Sequence, residues 1–199
     1  MGVQIKKEGD LMDGYFSSEE LSTMKFGSLG KNVLIARNTV LVGTDHMYLK
    51  NNIRIDSFSV LIASNGSLEI GDYVHISSGS YLACSGGVIL EDFVGISAQV
   101  KIFSASDDFT GIALVGPCVP DRYRKIKRER IILKKHVLIG AGTTILPGVT
   151  IGASAAVGAM SLVTQSLKPL NIYTGIPAKF LKSRSKNHIE LEKNLKSST

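Results

Sequence analysis

The chain reads as an all-β protein, a parallel β-helix wound from hexapeptide rungs, and three observations predict it. Ile139, Ile145, Ile151, Val157 and Val163 recur every six positions. A small residue stands two places after each of the first four: Ala141, Pro147, Ala153 and Ala159. Gly140, Gly152 and Gly158 directly follow three of them. A period of six is neither the 3.6 of a helix nor the 2 of a strand, and fixed hexapeptide periods mark parallel β-helices.

Each element follows in order. Residues 1–28 lack the beat and form an N-terminal cap; Ser17 with Glu20 makes a capping box that opens a short helix ending near Lys25. Gly27 and Gly30 then punctuate the chain. Hexads start at Leu29, Ile35 and Leu41, resume at Ile55 and Leu61, continue through Ile70, Ile76 and Leu82, and then through Leu90, Ile96 and Ile102. The slips fall at Asp45-His46-Met47, Asn65-Gly66-Ser67 and Ser85-Gly86-Gly87, where turn chemistry admits extra residues. Residues 104–130 break the pattern with Gly111, Gly116, Pro117, Pro120 and a basic block; such long excursions from compact repeats are usually functional or disordered, and the apolar run Ile112–Val115 argues against simple disorder. The beat returns at Leu133, the repeat domain spans 29–182, and 183–199 read as a Lys-rich, frayed helical tail. Three hexads make one triangular coil of about 18 residues with aliphatic ladders inside, so five to six coils are expected. Cyclic self-association, most naturally a trimer, would bury the flat faces and edges of such a prism.

Bulk properties bound the function. The 199 residues are 44% apolar and 20% charged, ordinary for a globular protein, with no apolar run near the roughly 18 residues of a membrane span. The first residues hold no continuous apolar stretch and read as no secretory signal, so a cytoplasmic location is expected. Cys84 and Cys118 show no metal-like spacing and read as free thiols. The net charge of +6 concentrates in Arg122–Arg130 and Lys179–Lys186. Localised positives suit a phosphate-bearing small molecule, and no repeated aromatic platform accompanies them to favour nucleic acid. The four histidines show no close pairing for a three-His metal site, so no metal or bound cofactor is expected.

The segment Leu138–Gly152, the Gly175-Ile-Pro-Ala-Lys179 motif and Ile70–Gly79 together resemble the left-handed β-helix hexapeptide acyltransferases, including sugar N- and O-acyltransferases of surface-polysaccharide pathways. The resemblance spans about residues 15–186. It implies transfer of an acyl group from acyl-CoA, a co-substrate, to a sugar amine or hydroxyl, in sites between subunits. It also implies CoA contacts at Ala141, Ala159, Thr164, Lys179 and Lys182. Many relatives place a His base where the excursion starts; here stand Ser104-Ala105-Ser106-Asp107-Asp108, with no His.

That departure favours an amine acceptor. A hydroxyl needs a base, whereas a neutral amine attacks a thioester unaided and a carboxylate suffices to orient it. Asp107 and Asp108 fit this role, with His75 as a further candidate; Ser104 would line the sugar pocket, and Arg122 and Arg124 would meet a diphosphate. The expected function is N-acylation of a nucleotide-linked amino deoxysugar. The alternative is O-acetylation of a sugar hydroxyl, with His75 or His46 as base; His136 reads as a solvated turn residue and His188 as part of the tail.

Overall fold

The computed structural model describes residues 14–197 and is a β-solenoid with a short helix at each end. Strands stack into three faces of six, eight and six; all are parallel and two or three residues long except the last two of the second face, Asn171–Thr174 and the antiparallel Lys179–Ser183. The first face runs from Ser28–Leu29 to Thr150–Ile151, the second from Val33–Ile35 through Ala156–Val157 to the C-terminal hairpin, and the third from Val40–Val42 to Leu162–Val163. Six complete coils and the start of a seventh are formed among the described residues, more than the sequence count of five to six. Short turns make the early coils longer than 18 residues, so counting hexads alone undercounts them.

The aliphatic ladders form as the beat requires. Ile35, Ile55, Ile76, Ile96, Ile139 and Val157 stack along the second face, and Leu61, Leu82, Ile102, Ile145 and Val163 along the third, all essentially inaccessible. A second, polar column is hidden at the corner between those faces. Thr39, Ser59, Ser80, Thr143 and Ser161 are buried, and their hydroxyls donate to corner carbonyls such as Ser77 O (from Ser80, 2.8 Å) and Gly158 O (from Ser161, 2.8 Å). These bonds satisfy carbonyls that the sheets leave unpaired at the bend.

The corner between the first and second faces needs a left-handed residue in every coil. Asn32, Asn52, Tyr73, Phe93, His136, Ser154 and Leu170 occupy it, with φ between 55° and 61°. This is costly for side chains other than Gly and Asn, and the stack repays it. Tyr73 and Phe93 lie parallel with centroids 4.8 Å apart, and His136 stacks on Phe93 at 4.9 Å.

Helix α1 (Ser18–Thr23) carries the expected capping box: Ser17 Oγ accepts from Glu20 N and Glu20 Oε2 accepts from Ser17 N. Residues 1–13 of the expected cap, and 198–199 of the tail, lie outside the described residues. Helix α2 (Asn187–Ser197) corrects the reading of a frayed tail, because it docks on the aromatic corner. Glu192 is its buried anchor, meeting His136 Nε2 at 2.7 Å and the ammonium groups of Lys135 and Lys196. His136 is therefore no solvated turn residue; its side chain is 11% exposed, sealed under α2. His188 Nε2 meets Ser154 Oγ at 2.8 Å, and Arg184 Nη1 donates to the carbonyls of His136, Ser154 and Ala155.

Two predictions follow from this packing. I96A removes a fully buried ladder side chain between two occupied rungs and should cost about 2–5 kcal/mol of stability, read by denaturant unfolding. Burial alone would raise the Glu192 carboxyl, but hydrogen bonds from Lys135, Lys196 and His136 outweigh it and hold it at about 2, against an ordinary 4.5. A depressed carboxyl stabilises fully above its unfolded value and loses that contribution as pH falls toward its folded value. Amide protection of α2 in hydrogen exchange should thus weaken between about pH 4.5 and 2 in the wild type. In E192Q it should already be weak at neutral pH.

Candidate functional site

The corner between the second and third faces holds the first group of expected site residues. Ala98, Ala141 and Ala159 stand one above another there, linked through Gly142 N donating to Ala98 O (2.9 Å) and Met160 N to Ala141 O (2.8 Å). Their own N–H groups make no hydrogen bond among the described residues, so the column presents a row of free donors. Small residues are obligatory beside it: a Cβ on Gly140 would run into the amide nitrogen of Ala159. Ala141 and Ala159 are exposed.

Ser97 begins the same corner one coil below Gly140. Its N–H donates to Ile139 O (2.9 Å), and its hydroxyl has no partner among the described residues. Sequence reasoning passed over it, because a serine after a hexad aliphatic reads as turn chemistry. Above the column, the chain leaves the last coil as a hairpin, Asn171–Thr174 against Lys179–Ser183, antiparallel. Lys179 and Lys182 are exposed on its outer strand. Thr164 is also exposed, but it ends a third-face strand and so lies across that face from Ala141 and Ala159.

The excursion leaves from the opposite edge of the third face, where the turns at 43–46, 64–67 and 84–87 also stack. An antiparallel ribbon closes its neck, pairing Ala105 with Arg128 and Ser106 with Lys127. Against it lies a cavity of about 460 Å³ lined by Asn65, Ser85, Ser106, Asp107, Asp121, Arg124 and Arg128, among others. Asp107 is partly exposed there, with Arg124 Nη2 3.7 Å from its Oδ1. Asp108 has a different neighbourhood. Its Oδ1 accepts from Thr110 N and Oγ1 and its Oδ2 from Ile112 N and Ala113 N, bonds that hold it below the ordinary carboxylate range and close the loop. Arg122 is exposed and covers the Tyr123 ring at 4.7 Å.

Ser104 is corrected: it does not line a pocket. It is fully buried, its Oγ donating to Ala83 O (2.8 Å) and accepting from Gly86 N (2.9 Å), which fastens the excursion to the turn below. His75 is half-exposed, but its Nε2 meets Asp56 Oδ2 at 2.8 Å; Arg54 Nε (2.6 Å) and Tyr15 OH (2.9 Å) share Oδ1. Burial would raise the Asp56 carboxyl, and bonds from His75, Arg54 and Tyr15 outweigh it and hold it low. His75 thereby helps pin the N-terminal segment to the second face. His46 is exposed beside Asp45 in a one-turn helix. Cys84 is inert, its thiol pushed up to about 12 by burial. No cluster of three metal-ligating side chains occurs among the described residues.

The Ser104 geometry makes a prediction. S104A leaves the part-buried Gly86 N–H without its partner and should cost about 1 kcal/mol in denaturant unfolding, while acting little on any substrate affinity.

No protein-family model matches the chain. It is 37% identical over 184 residues to the dTDP-4-amino-4,6-dideoxy-D-glucose acyltransferase of Escherichia coli, covering 92% of this chain and 96% of that protein. Among solved structures it matches the N-acyltransferase AntD of Bacillus cereus in complex with dTDP-4-amino-4,6-dideoxyglucose and coenzyme A, at TM-score 0.90 and 40% identity over 94% of this chain and 98% of that one. AntD in complex with dTDP and 3-hydroxybutyryl-CoA superimposes at TM-score 0.88, with 40% identity over 93% and 97% of the two chains. A hexapeptide-repeat acetyltransferase of Vibrio cholerae shares the fold, at TM-score 0.55 and 22% identity over 92% of this chain and 81% of that one. Ladders, free corner amides and full-length likeness converge: the chain belongs to the hexapeptide-repeat acyltransferases, in the branch of the dTDP-amino-sugar N-acyltransferases.

Proposed function

We propose that this protein transfers an acyl group from acyl-CoA to the amine of a dTDP-linked 4-amino-4,6-dideoxysugar. One observation carries the assignment of residues. The solved AntD structures include variants at one serine and at one aspartate ten positions further on. In this sequence only Ser97 and Asp107 form a serine–aspartate pair with that separation. Ser97 adjoins the free corner amides, and Asp107 lines the cavity at the neck of the excursion.

In this reading Ala98, Ala141 and Ala159 hold the pantetheine and the thioester by their N–H groups, and Lys179 and Lys182 approach the CoA phosphates at the hairpin. Thr164 contributes from the far side of the third face. The sugar amine enters neutral, its lone pair attacks the thioester carbonyl, and the C–N bond forms. The nitrogen then sheds a proton, the C–S bond breaks, and CoA leaves as the thiol. Asp107 orients the amine and accepts its hydrogen bond; Ser97 supplies a second polar contact. Asp108 acts on the reaction through the loop it closes. Arg122, with Lys125 and Lys127, offers positive charge toward a diphosphate.

Within one chain, a turn at Ala98–Gln99 and the third-face rung from Val100 to Ser104 separate Ser97 from the excursion, the rung alone spanning roughly 16 Å at about 3.3 Å per residue. In this reading neighbouring protomers contribute one each to a shared amine site. The outer side of the third face fits such an interface: Val40, Val42, Val60, Ile62, Tyr81 and Phe103 project from it, and Val40 is 51% exposed. A homotrimer is the assembly this prism supports. No helix among the described residues is long and apolar enough to cross a membrane. We place the enzyme in the cytoplasm, where acyl-CoA and nucleotide sugars are held, supplying an acylated sugar donor for surface-polysaccharide synthesis.

The test is thiol release from acetyl-CoA and longer acyl-CoAs with paired dTDP-sugars bearing an amine or a hydroxyl at C4. Release with the amine alone is expected; release with the hydroxyl alone would establish O-acylation instead. D107N should lower kcat/KM about 10²–10⁴-fold. Mixed trimers of S97A and D107N should be more active than either variant alone, because some sites would then hold both native side chains.

A further inference from the structure

The neck ribbon brings two distant parts of the excursion together. Beyond the pairs Ala105–Arg128 and Ser106–Lys127, the outgoing arm reaches Asp107 and the returning arm reaches Arg124. Arg124 is held firmly for a loop residue. Its N–H donates to Asp121 O (3.0 Å), its backbone bridges to Leu114, and its side chain is only 14% exposed. Nη1 lies 3.2 Å from Asp121 Oδ1, at a carboxylate that is almost fully exposed, and Nη2 lies 3.7 Å from Asp107 Oδ1. Nε is buried and has no partner among the described residues.

A guanidinium taken out of water with one donor idle is a poor stabilising device, since a buried charge costs free energy unless well paired. It is also a poor diphosphate ligand. The charged groups lining its cavity are Asp107, Asp121, Arg124 and Arg128, which sum to zero. The geometry fits a third role. A 3.7 Å approach is too long for a hydrogen bond and short enough for an ion pair, and Oδ2 of Asp107 has no hydrogen bond among the described residues.

We propose that Arg124 is a positioning residue for Asp107: it fixes one carboxylate oxygen at the loop neck and leaves the other free for the acceptor's amine. This deepens the proposed reading and rests on its assignment of Asp107. Arg124 acts on Asp107 through its charge, and the hydrogen bond from its Nη1 to Asp121 Oδ1 (3.2 Å) helps fix where that charge stands.

R124M keeps the length of the side chain and removes both charge and fork. Its kcat should fall at least about tenfold, while KM for acyl-CoA and the affinity for dTDP alone stay within about twofold of the wild type. R124K should recover only part of kcat. Adding R124M to D107N should cost less than about a further twofold, since the group it positions is already gone. Additive losses would overturn the proposal, and so would weakened dTDP binding, which would make Arg124 a diphosphate ligand. Full activity in D107N would instead overturn the reading of Asp107 itself. Should R124M not fold, R124K and its combination with D107N carry the same comparison.

Discussion

Everything in this molecule depends on the parallel register between successive coils. Each rung donates and accepts along the solenoid axis, so an aliphatic at one level must meet an aliphatic at the next. Ile76, Ile96 and Ile139 satisfy this although the last two are separated by the whole excursion. The register is what returns the chain to the same face after residues 104–130, with Val88 opposite Ile131. Stability of a stack of this kind is a sum over neighbours, so a long insertion is tolerated wherever the rungs on either side still match.

That constraint also builds the site. A triangular coil must turn three times, and each turn leaves backbone groups unpaired. At the corner of Thr39, Ser59, Ser80, Thr143 and Ser161 the carbonyls are satisfied from inside by hydroxyls, and the outward amides of Ala98, Ala141 and Ala159 find no partner among the described residues. A row of outward donors is thus a by-product of stacking corners, and the excursion adds a neck that sets Asp107 against Arg124; in the proposed function the first takes the thioester and pantetheine arm and the second the acceptor.

The ladders were legible because aliphatics at a fixed spacing have one physical explanation, and the excursion was legible because it breaks them. The preference for an amine followed from the absence of a histidine at the neck. Other features left no signal. Ser97 follows the buried Ile96 and Ser104 ends the rung of Ile102, yet Ser104 is sealed by Ala83 and Gly86 and Ser97 is open; only the three-dimensional turn decides which. Tyr73, Phe93 and His136 sit in a conformation usually reserved for Gly and Asn, so no turn residue announced the corner in their coils. The docking of α2 was hidden for a related reason, as Glu192 lies in a polar stretch and finds its partners 56 and 57 positions away.

The C-terminal hairpin has a consequence for how far the solenoid can grow. Coils whose upper and lower rims both offer unpaired backbone are templates, and identical copies would add to them end to end as in a cross-β fibre. Here the strand Lys179–Ser183 runs against the direction of all the others and carries two lysines outward, so the upper rim of the second face cannot accept another parallel rung. At the other end α1 tucks Leu21 over the core. The fold is a polymerisable repeat made finite by its two ends.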